Sequence, residues 1–213
     1  AAVSISSSII DLSFLLSGSG GALLCRGAGA TLSISNSSLR YSTNVGGSGG
    51  AVSFNGSRVR VASTVFDSNK CSRGRGGGML AQATDGVELV GLTVKSNRGQ
   101  VGGGLNLVAD VVTVTDSSFT SNNGLAGGGG IILAGLTSAC AAVLQRVQLA
   151  SNAATGSGGG VSATGCALVF DTCRLSSNTA TANGAGLYFD GSGAARVRLL
   201  ATQLSRNVAQ GSG

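Results

Sequence analysis

One arrangement of hydrophobic and polar positions recurs along the whole chain. A hydrophobic residue is followed three positions later by asparagine, or by serine in the first two copies, and successive copies lie 25 to 30 residues apart. The hydrophobic members of the eight copies are Ile10, Leu39, Phe66, Val94, Phe119, Leu149, Leu175 and Leu204. A period of this length is the signature of a repeat architecture in which equivalent segments stack on one another.

The nine residues before each of these hydrophobic residues align in all eight copies without a gap. Two positions, separated by one mixed position, are apolar in every copy. They are occupied by Val3, Leu32, Val59, Val87, Val112, Ala142, Leu168 and Val197, and by Ile5, Ile34, Val61, Leu89, Val114, Leu144, Phe170 and Leu199. Alternation with a period of two indicates a β-strand with one buried face. Because the alternation keeps one register in every copy, it predicts a column of stacked strands.

Asparagine and glycine hold fixed places in each repeat. The asparagines are Asn69, Asn97, Asn122, Asn152, Asn178 and Asn207. Asparagine tolerates left-handed backbone geometry and bonds local turn backbone, and stacked asparagines also bond one another along the axis, so we predict a structural asparagine ladder. A glycine pair follows each complete copy, as at Gly20-Gly21, Gly49-Gly50 and Gly77-Gly78, and becomes Ala185-Gly186 in the last interval. We expect these pairs to supply the positive φ angles needed to enter the next strand.

The composition excludes the main alternatives to stacked strands. The chain has 37 glycines and no proline, and glycine clusters at every repeat oppose the long helices of helical-repeat proteins. Charged residues make up 10% of the chain, which argues against disorder. We therefore predict an all-β fold. It is a right-handed, single-stranded parallel β-helix of about seven coils, in which residues 1–213 form an uncapped segment of a larger protein.

Charged residues test the register independently. Opposite charges fall at equivalent positions of neighbouring copies, which lie about 4.8 Å apart in a parallel sheet: Asp11, Arg40, Asp67 and Lys95 in succession, Arg60 with Glu88, and Asp116 with Arg146. The net charge of +6 is dispersed and aromatic residues are few, so we expect no nucleic-acid partner. No run of 18 apolar residues occurs, so we expect no direct membrane insertion.

Several motifs resemble those of a known repeat family. They are Gly-Gly-Ala-Leu at 20–23, Gly-Gly-Ala-Val at 49–52, Phe-Asp-Ser-Asn at 66–69 and Phe-Thr-Ser-Asn at 119–122. They resemble the GGA[ILV] and FxxN repeats of chlamydial polymorphic outer-membrane proteins and, more broadly, pectin-lyase-like parallel β-helix repeats, over essentially the whole chain. The resemblance implies a β-helix of the kind found in adhesins, autotransporter passengers, surface glycoproteins and polysaccharide-degrading enzymes.

Asp85 and Asp110 are the weak candidates for catalysis, because they share one position in adjacent repeats. Two stacked carboxylates could bind a cation or divide acid and base roles. The other interpretation is that each aspartate bonds its own turn backbone. Arg58 and Arg60, one repeat before Asp85, could neutralise a sugar acid or simply pair with Glu88. The chain has no histidine and eight acidic residues, so no catalytic set is evident, and we expect no cofactor or metal.

The cysteines carry a second expectation. Cys140 and Cys166 occupy the position of Asp85 and Asp110 in the next two repeats. Their expected Cα separation of about 4.8 Å lies within the range of a disulfide, so we predict a bridge, the alternative being two small buried hydrophobic residues. The register assigns no partner to the remaining cysteines, which are Cys25, Cys71 and Cys173.

Two N-glycosylation motifs bear on where the protein acts. They are Asn36-Ser37-Ser38 and Asn55-Gly56-Ser57, and both favour a secreted parent protein. We expect a non-catalytic structural or adhesive rod of a large extracellular or cell-surface protein, acting as a spacer, filament or appendage component. Two alternatives stay open: a carbohydrate-active lyase or hydrolase of pectin-lyase-like fold, and an intracellular scaffold rod.

The expected partners follow from the architecture. Stacked repeats need polar caps because their end faces are apolar, and open strand edges pair with other chains. We therefore expect further coils or caps of the same chain at both ends. The outward columns of Ser, Thr and mixed charge suit glycans or neighbouring protein subunits on the lateral surface.

Overall fold

A computed structural model describes residues 1–137, 139–191 and 195–211 of the chain, and in these ranges the regular structure consists of β-strands without a helix. In chain order the strands are β1 (Ala2–Ser6), β2 (Ile9–Asp11), β3 (Phe14–Leu15), β4 (Leu23–Arg26), β5 (Thr31–Ser35), β6 (Ser38–Arg40), β7 (Thr43–Asn44), β8 (Val52–Ala62), β9 (Val65–Asp67), β10 (Lys70–Arg75), β11 (Met79–Val90), β12 (Thr93–Lys95), β13 (Arg98–Val101), β14 (Leu105–Val108), β15 (Val111–Thr115), β16 (Ser118–Thr120), β17 (Asn123–Gly124), β18 (Ile131–Ala134), β19 (Ala141–Gln145), β20 (Gln148–Ala150), β21 (Ala153–Ala154), β22 (Val161–Thr164), β23 (Ala167–Asp171), β24 (Arg174–Ser176), β25 (Thr179–Ala180), β26 (Leu187–Asp190), β27 (Val197–Leu200), β28 (Gln203–Ser205) and β29 (Val208–Ala209).

Equivalent strands of successive turns pair in parallel and form three sheets. Sheet 2 has the order β2-β6-β9-β12-β16-β20-β24-β28, and sheet 3 has the order β29-β25-β21-β17-β13-β10-β7-β3. Sheet 1 has 13 strands, because most turns contribute two short strands to it while β8 and β11 each run through both places. The protein is therefore a parallel β-solenoid of about seven turns, and the predicted fold class is confirmed.

The pairing register is the one predicted from the sequence. Val59 pairs with Val87 and Val87 with Val112, and none of the three is more than 3% exposed. On sheet 2, Phe66 pairs with Val94 in the same way. The interior is thus a set of files in which each apolar side chain lies directly over its equivalent in the next turn. Burial of one such side chain stabilises the fold by roughly 1.5–3 kcal/mol.

Each turn changes direction at three residues with a left-handed backbone. Corner 1, between sheets 1 and 2, has φ between +43° and +65° and is formed by Ser7, Asn36, Ser63, Gly91, Asp116, Arg146, Thr172 and Ala201. Corner 2, between sheets 2 and 3, has φ between +52° and +56° and is formed by Leu12, Tyr41, Ser68, Ser96, Ser121, Ser151, Ser177 and Arg206. Corner 3, between sheets 3 and 1, has φ between +58° and +75° and is formed by Gly20, Gly49, Gly76, Gly102, Gly128, Gly158 and Gly184.

The expected left-handed geometry of the asparagines is wrong by one residue. At corner 2 the left-handed residue is the one before each asparagine, as with Ser121 before Asn122. The left-handed residue bends the chain from sheet 2 to sheet 3 and turns its own side chain outward. The following residue therefore points into the interior, and Asn122 in this place is fully buried. The asparagine is therefore selected for its interior hydrogen bonds and not for its own φ.

The predicted glycine pairs are one residue out of register after the second repeat. The positive φ falls on Gly49 in one turn and on Gly76 in the next, so Gly76 and not Gly77 is the equivalent of Gly49. The repeating unit is the left-handed glycine, a second glycine, which is replaced by Ala185 in the last turn, and a third small residue. A Cβ on the second glycine would collide with the next turn, since at Gly77 it would lie 2.1 Å from the carbonyl oxygen of Gly103.

The interior asparagines form a continuous hydrogen-bonded ladder from Asn69 to Asn207. In a typical step, Asn97 Nδ2 donates to Asn122 Oδ1 at 3.0 Å and to the carbonyl oxygen of Phe66 at 2.9 Å. The same Asn122 Oδ1 accepts the backbone N–H of Asn97 at 3.0 Å. Each amide therefore satisfies backbone groups at a corner that has no backbone partner for them, and an unpaired buried group there would cost about 1–3 kcal/mol.

A second ladder, which the sequence analysis missed, follows corner 1. Ser117 Oγ accepts the backbone N–H of Leu92 in the preceding turn at 3.0 Å and donates to the carbonyl of Thr115 at 2.7 Å. Cys173 takes the same place in its turn, because its thiol accepts the backbone N–H of Val147 at 3.4 Å. The cysteine without an assigned partner is thus a member of a hydroxyl and thiol ladder.

The asparagine ladder predicts a large difference between two adjacent asparagines. Asn122→Ala removes four buried hydrogen bonds and is expected to lower the free energy of unfolding by about 2–4 kcal/mol. Asn123→Ala, at the next and outward-facing residue, is expected to change it by no more than about 0.5 kcal/mol. Urea unfolding followed by circular dichroism measures both values, and equal losses in the two variants would contradict the assigned role of the ladder.

Candidate functional site

Opposite charges in neighbouring turns pair on the outer surface. The pairs are Asp11 with Arg40 at 3.2 Å, Asp67 with Lys95 at 3.1 Å, Glu88 with Arg60 at 3.4 Å and Asp116 with Arg146 at 2.6 Å. Hydrogen bonds from the Arg146 guanidinium lower the pKa of Asp116. Exposed pairs of this kind each contribute about 0–1 kcal/mol, so they confirm the predicted register more than they stabilise the fold.

A groove of about 360 Å³ lies on the outer face of sheet 1. Equivalent outward-facing positions of successive turns form a column on this face. In one such column Gly86 lies between Arg58 of the preceding turn and Val111 of the next turn. Because glycine has no side chain, the column has a gap there, and the pairing of β11 with β8 is irregular between Ala83 and Gly86. The groove is lined on either side of this gap by Arg58, Asp85, Glu88, Val111 and Thr113, among others.

The groove combines groups that suit a polar ligand. Arg58 supplies a cation, Glu88 and Asp85 supply carboxylates, Thr113 supplies a hydroxyl, and Val111, which is 58% exposed, supplies an apolar surface. A volume of this size is at the small end of ligand pockets. Five of the nine lining residues have side chains that donate or accept hydrogen bonds, and the rest of the lining is apolar, so the groove suits one or two hydroxylated rings.

The two candidate carboxylates, Asp85 and Asp110, have different hydrogen-bond partners. Asp85 accepts hydrogen bonds from the hydroxyl of Ser57, in the preceding turn, and from that of Thr84 at 3.3 Å. Asp110 accepts bonds from the following turn, where the N–H groups of Leu136 and Thr137 both lie 2.8 Å from its Oδ1. The two aspartates hold donors on opposite sides along the axis. Among the residues that the structure describes, neither bonds the backbone of its own turn, since Asp85 accepts side-chain hydroxyls and Asp110 accepts groups of the following turn.

Asp110 holds the loop that contains Leu136 and Thr137, and the hydrogen bonds from this loop favour its ionised form. The backbone N–H of Thr137 is the main cause that lowers the pKa of Asp110, with further lowering by the Thr137 hydroxyl and the Leu136 N–H, against partial desolvation. The carboxylate is therefore ionised at neutral and mildly acidic pH. A group in that state accepts hydrogen bonds and does not serve as a general acid.

A disulfide joins Cys140 and Cys166 in adjacent turns, with 4.5 Å between their Cα atoms. It follows the loop that Asp110 holds, so that loop is attached to the turns on both sides. Cys25, Cys71 and Cys173 are free and buried, and burial raises the pKa of the Cys71 and Cys173 thiols. These thiols are protonated at neutral pH and have the low reactivity of structural cysteines.

Both asparagines of the N-glycosylation motifs are on the surface. Asn36 is exposed at corner 1, and Asn55 is exposed on β8 with its Nδ2 3.4 Å from Gln82 Oε1. An acceptor asparagine must be accessible, and both meet this requirement. Their modification stays a prediction.

No three His, Cys, Asp or Glu side chains in residues 1–137, 139–191 and 195–211 are grouped so that they could hold a metal ion. None of the described residues belongs to a helix with the length and hydrophobicity that membrane crossing requires.

Comparisons with known proteins place the chain in no family. No protein-family model matches it, and no curated protein and no solved structure is significantly similar to it.

The disulfide predicts a bridged peptide and a loss of stability when it is removed. Non-reducing peptide mapping is expected to yield one linked pair that contains Cys140 and Cys166. The double variant Cys140→Ala/Cys166→Ala is expected to lose about 3 kcal/mol, because the bridge closes a 26-residue separation. Cys173→Ser is the control, since serine fits the corner 1 ladder and should leave stability nearly unchanged. Recovery of Cys140 and Cys166 as free thiols would contradict the bridge.

The bonds to Asp110 predict acid sensitivity. Its pKa is lower in the folded chain than the unfolded value of about 3.9, so its contribution to stability is complete above that value and is lost as pH falls through the folded pKa. Asp110→Asn is therefore expected to flatten the decline in stability between about pH 5 and pH 2, and Asp190→Asn, at another exposed position, to leave it steep. Urea unfolding across this range measures the slope, and identical slopes in the two variants would refute the assignment.

Proposed function

We propose that this chain is a stiff, non-catalytic β-solenoid segment that serves as a structural or adhesive rod and makes contacts along its sides. The interior asparagine ladder is the observation that carries the proposal. It joins one turn to the next through buried hydrogen bonds at a corner where backbone pairing alone would leave donors unsatisfied. A solenoid built in this way resists bending and grows in length with the number of turns.

The proposed location is extracellular or on the cell surface. The disulfide between Cys140 and Cys166 supports it, because such bonds persist in oxidising compartments and are rare in the cytosol. The exposed Asn36 and Asn55 are compatible with the same location. An intracellular scaffold rod is the competing proposal, and it requires the two cysteines to be reduced.

Further turns or a cap are the proposed partners of the two terminal turns. Leu199 and Leu204 belong to interior files, yet they are 47% and 44% exposed, whereas their equivalents one turn earlier, Phe170 and Leu175, are 0% and 1% exposed. Packing another complete turn of the solenoid on this face would bury these side chains and pair the open strand edges. On the lateral surface the proposed partners are glycans or protein subunits.

A pectin-lyase-like relationship, with repeats like those of chlamydial polymorphic outer-membrane proteins, is part of the proposal. The GGA and FxxN motifs support it through their roles in the fold, since the glycines form corner 3 and the asparagines form the ladder. The shared motifs answer a physical requirement of stacked turns, and for that reason they speak to architecture and not to activity.

A carbohydrate-active enzyme is the second candidate, and the groove on sheet 1 favours it. Its lining includes Arg58, Asp85 and Glu88, which are groups that could contact an acidic sugar. Against this role, Glu88 is paired with Arg60 at 3.4 Å, and Asp85 accepts the Ser57 hydroxyl. The groove therefore suits binding better than acid–base chemistry, which needs a carboxylate free to exchange a proton with the substrate.

An assay on polygalacturonate separates the two candidates. The wild-type chain, Asp85→Ala and Asp110→Ala are each incubated with the polymer, and unsaturated products and new reducing ends are measured. We expect no cleavage by any of the three, because neither carboxylate is placed as a free acid or base. Cleavage by the wild-type chain that is lost in Asp85→Ala, with the fold intact by circular dichroism, would overturn the non-catalytic proposal.

A further inference from the structure

Four cations cluster on the outer surface of sheet 3. Lys70, Arg73 and Arg75 lie on β10, and Arg98 begins β13 in the next turn. All four side chains are exposed. In the part of the chain that the structure describes, none of these four side chains forms an ion pair or a hydrogen bond, although the backbone N–H of Arg75 donates to Ser48 Oγ at 3.2 Å.

The stacking of these cations departs from the charge pattern of the other faces. Lys70 pairs with Arg98 in register, so two like charges lie directly opposite each other in adjacent strands. Like charges in this position destabilise a sheet, whereas the ion pairs elsewhere on the surface join opposite charges across turns. The stacked Asp85 and Asp110 also carry like charges, but both of their carboxylates accept hydrogen bonds. Lys70 and Arg98 have no such compensation, and a local arrangement that opposes folding without compensation is typical of a functional surface.

Within the described ranges, the strands of sheet 3 carry no acidic residue that could compensate the cluster. Asp67 is the nearest acidic residue before Lys70 in the sequence, but it lies on β9 in sheet 2 and pairs with Lys95 at 3.1 Å. The next acidic residue, Asp85, lies in the middle of β11 and lines the groove of sheet 1. The positive potential of the cluster is therefore open to an anion from solution.

The shape of the surface limits the ligand. A groove of about 230 Å³ is lined by residues of three successive turns, namely Lys70, Cys71, Ser72, Arg98 and Leu125. The pairing of β10 with β13 is irregular between Cys71 and Arg75, where β10 carries additional residues, and Arg73 and Arg75 are exposed in this stretch. The lining offers two cations and a hydroxyl but no aromatic ring on which a nucleic-acid base could stack.

We propose that this surface binds an acidic polysaccharide, that is, a glycan whose successive sugars carry carboxylate or sulfate groups. Cations at several points along β10 and β13 match anions repeated along an extended polymer, and the Ser72 hydroxyl matches a sugar hydroxyl. The inference deepens the proposed contact function by naming a ligand class, and it rests on that function. Its site is distinct from the groove of sheet 1.

Binding to three immobilised polymers tests the proposal: dextran sulfate, polygalacturonate and neutral dextran. The wild-type chain is expected to bind one or both acidic polymers, with affinity falling as salt is added, and not to bind neutral dextran. Lys70→Gln/Arg98→Gln is expected to weaken binding about ten-fold, because each exposed charge contact contributes up to roughly five-fold. The comparison of sulfate with carboxylate polymer identifies which anion is recognised.

A matched variant separates the cluster from net charge. Arg174→Gln/Arg198→Gln removes the same two charges from exposed positions on sheets 2 and 1 and is expected to change affinity less than about two-fold. Thermal unfolding monitors the fold, and Lys70→Gln/Arg98→Gln should be at least as stable as the wild type because it relieves like-charge repulsion.

Three results would overturn the proposal. The first is equal weakening in both double variants, and the second is that the wild-type chain binds neither dextran sulfate nor polygalacturonate. The third is that it binds single-stranded DNA more tightly than it binds either acidic polymer. These failures are distinct from failure of the non-catalytic function, which would show as polymer cleavage. A chain that neither binds nor cleaves retains the structural role and loses only the ligand assignment.

Discussion

The distance between paired strands in a parallel sheet, about 4.8 Å, is the constraint on which the rest of this structure depends. Each turn contributes strands to three sheets, so every residue lies one strand spacing from its equivalents above and below. Side chains at equivalent positions must therefore tolerate one another at contact distance. Apolar residues do so by packing in files, as Val59, Val87 and Val112 do. Glycine is required where even a methyl group would meet the carbonyl of the next turn, as at Gly77.

Corners are where this constraint conflicts with hydrogen bonding. A left-handed residue bends the chain from one sheet to the next but interrupts regular backbone pairing. The backbone N–H and C=O groups that lose their partners there are buried. The chain resolves the conflict with side chains that repeat at the same spacing. Asparagine at corner 2 supplies both a donor and an acceptor, and serine, threonine or Cys173 at corner 1 supplies a shorter equivalent. Corner 3 needs no such side chain, since its glycine backbone groups bond directly to the next turn, as Gly77 N–H does to the carbonyl of Gly102.

Function, in a molecule of this kind, is confined to the outward columns and to the loops of sheet 1. Two places on the surface break the regular pattern. At Gly86 a column lacks a side chain and a groove results, while at Lys70 and Arg98 two like charges are stacked. Both irregularities accompany an irregular stretch of strand pairing, which gives side chains directions that a regular ladder would not allow. The proposed glycan surface and the groove lie on different sheets, so one extended polymer need not occupy both.

The sequence by itself determined the period, the strands, their register and the charge pairs between turns, because stacking makes equivalent positions face the same environment and repetition makes that environment visible in one chain. Tertiary structure alone decided the details within a turn. A run of three glycines leaves open which one reverses the chain, as at Gly76. A shared column does not say toward which turn a side chain points, so Asp85 and Asp110 looked like a pair and bond in opposite directions. Direction depends on local φ and on the nearest donors, and neither is encoded in spacing.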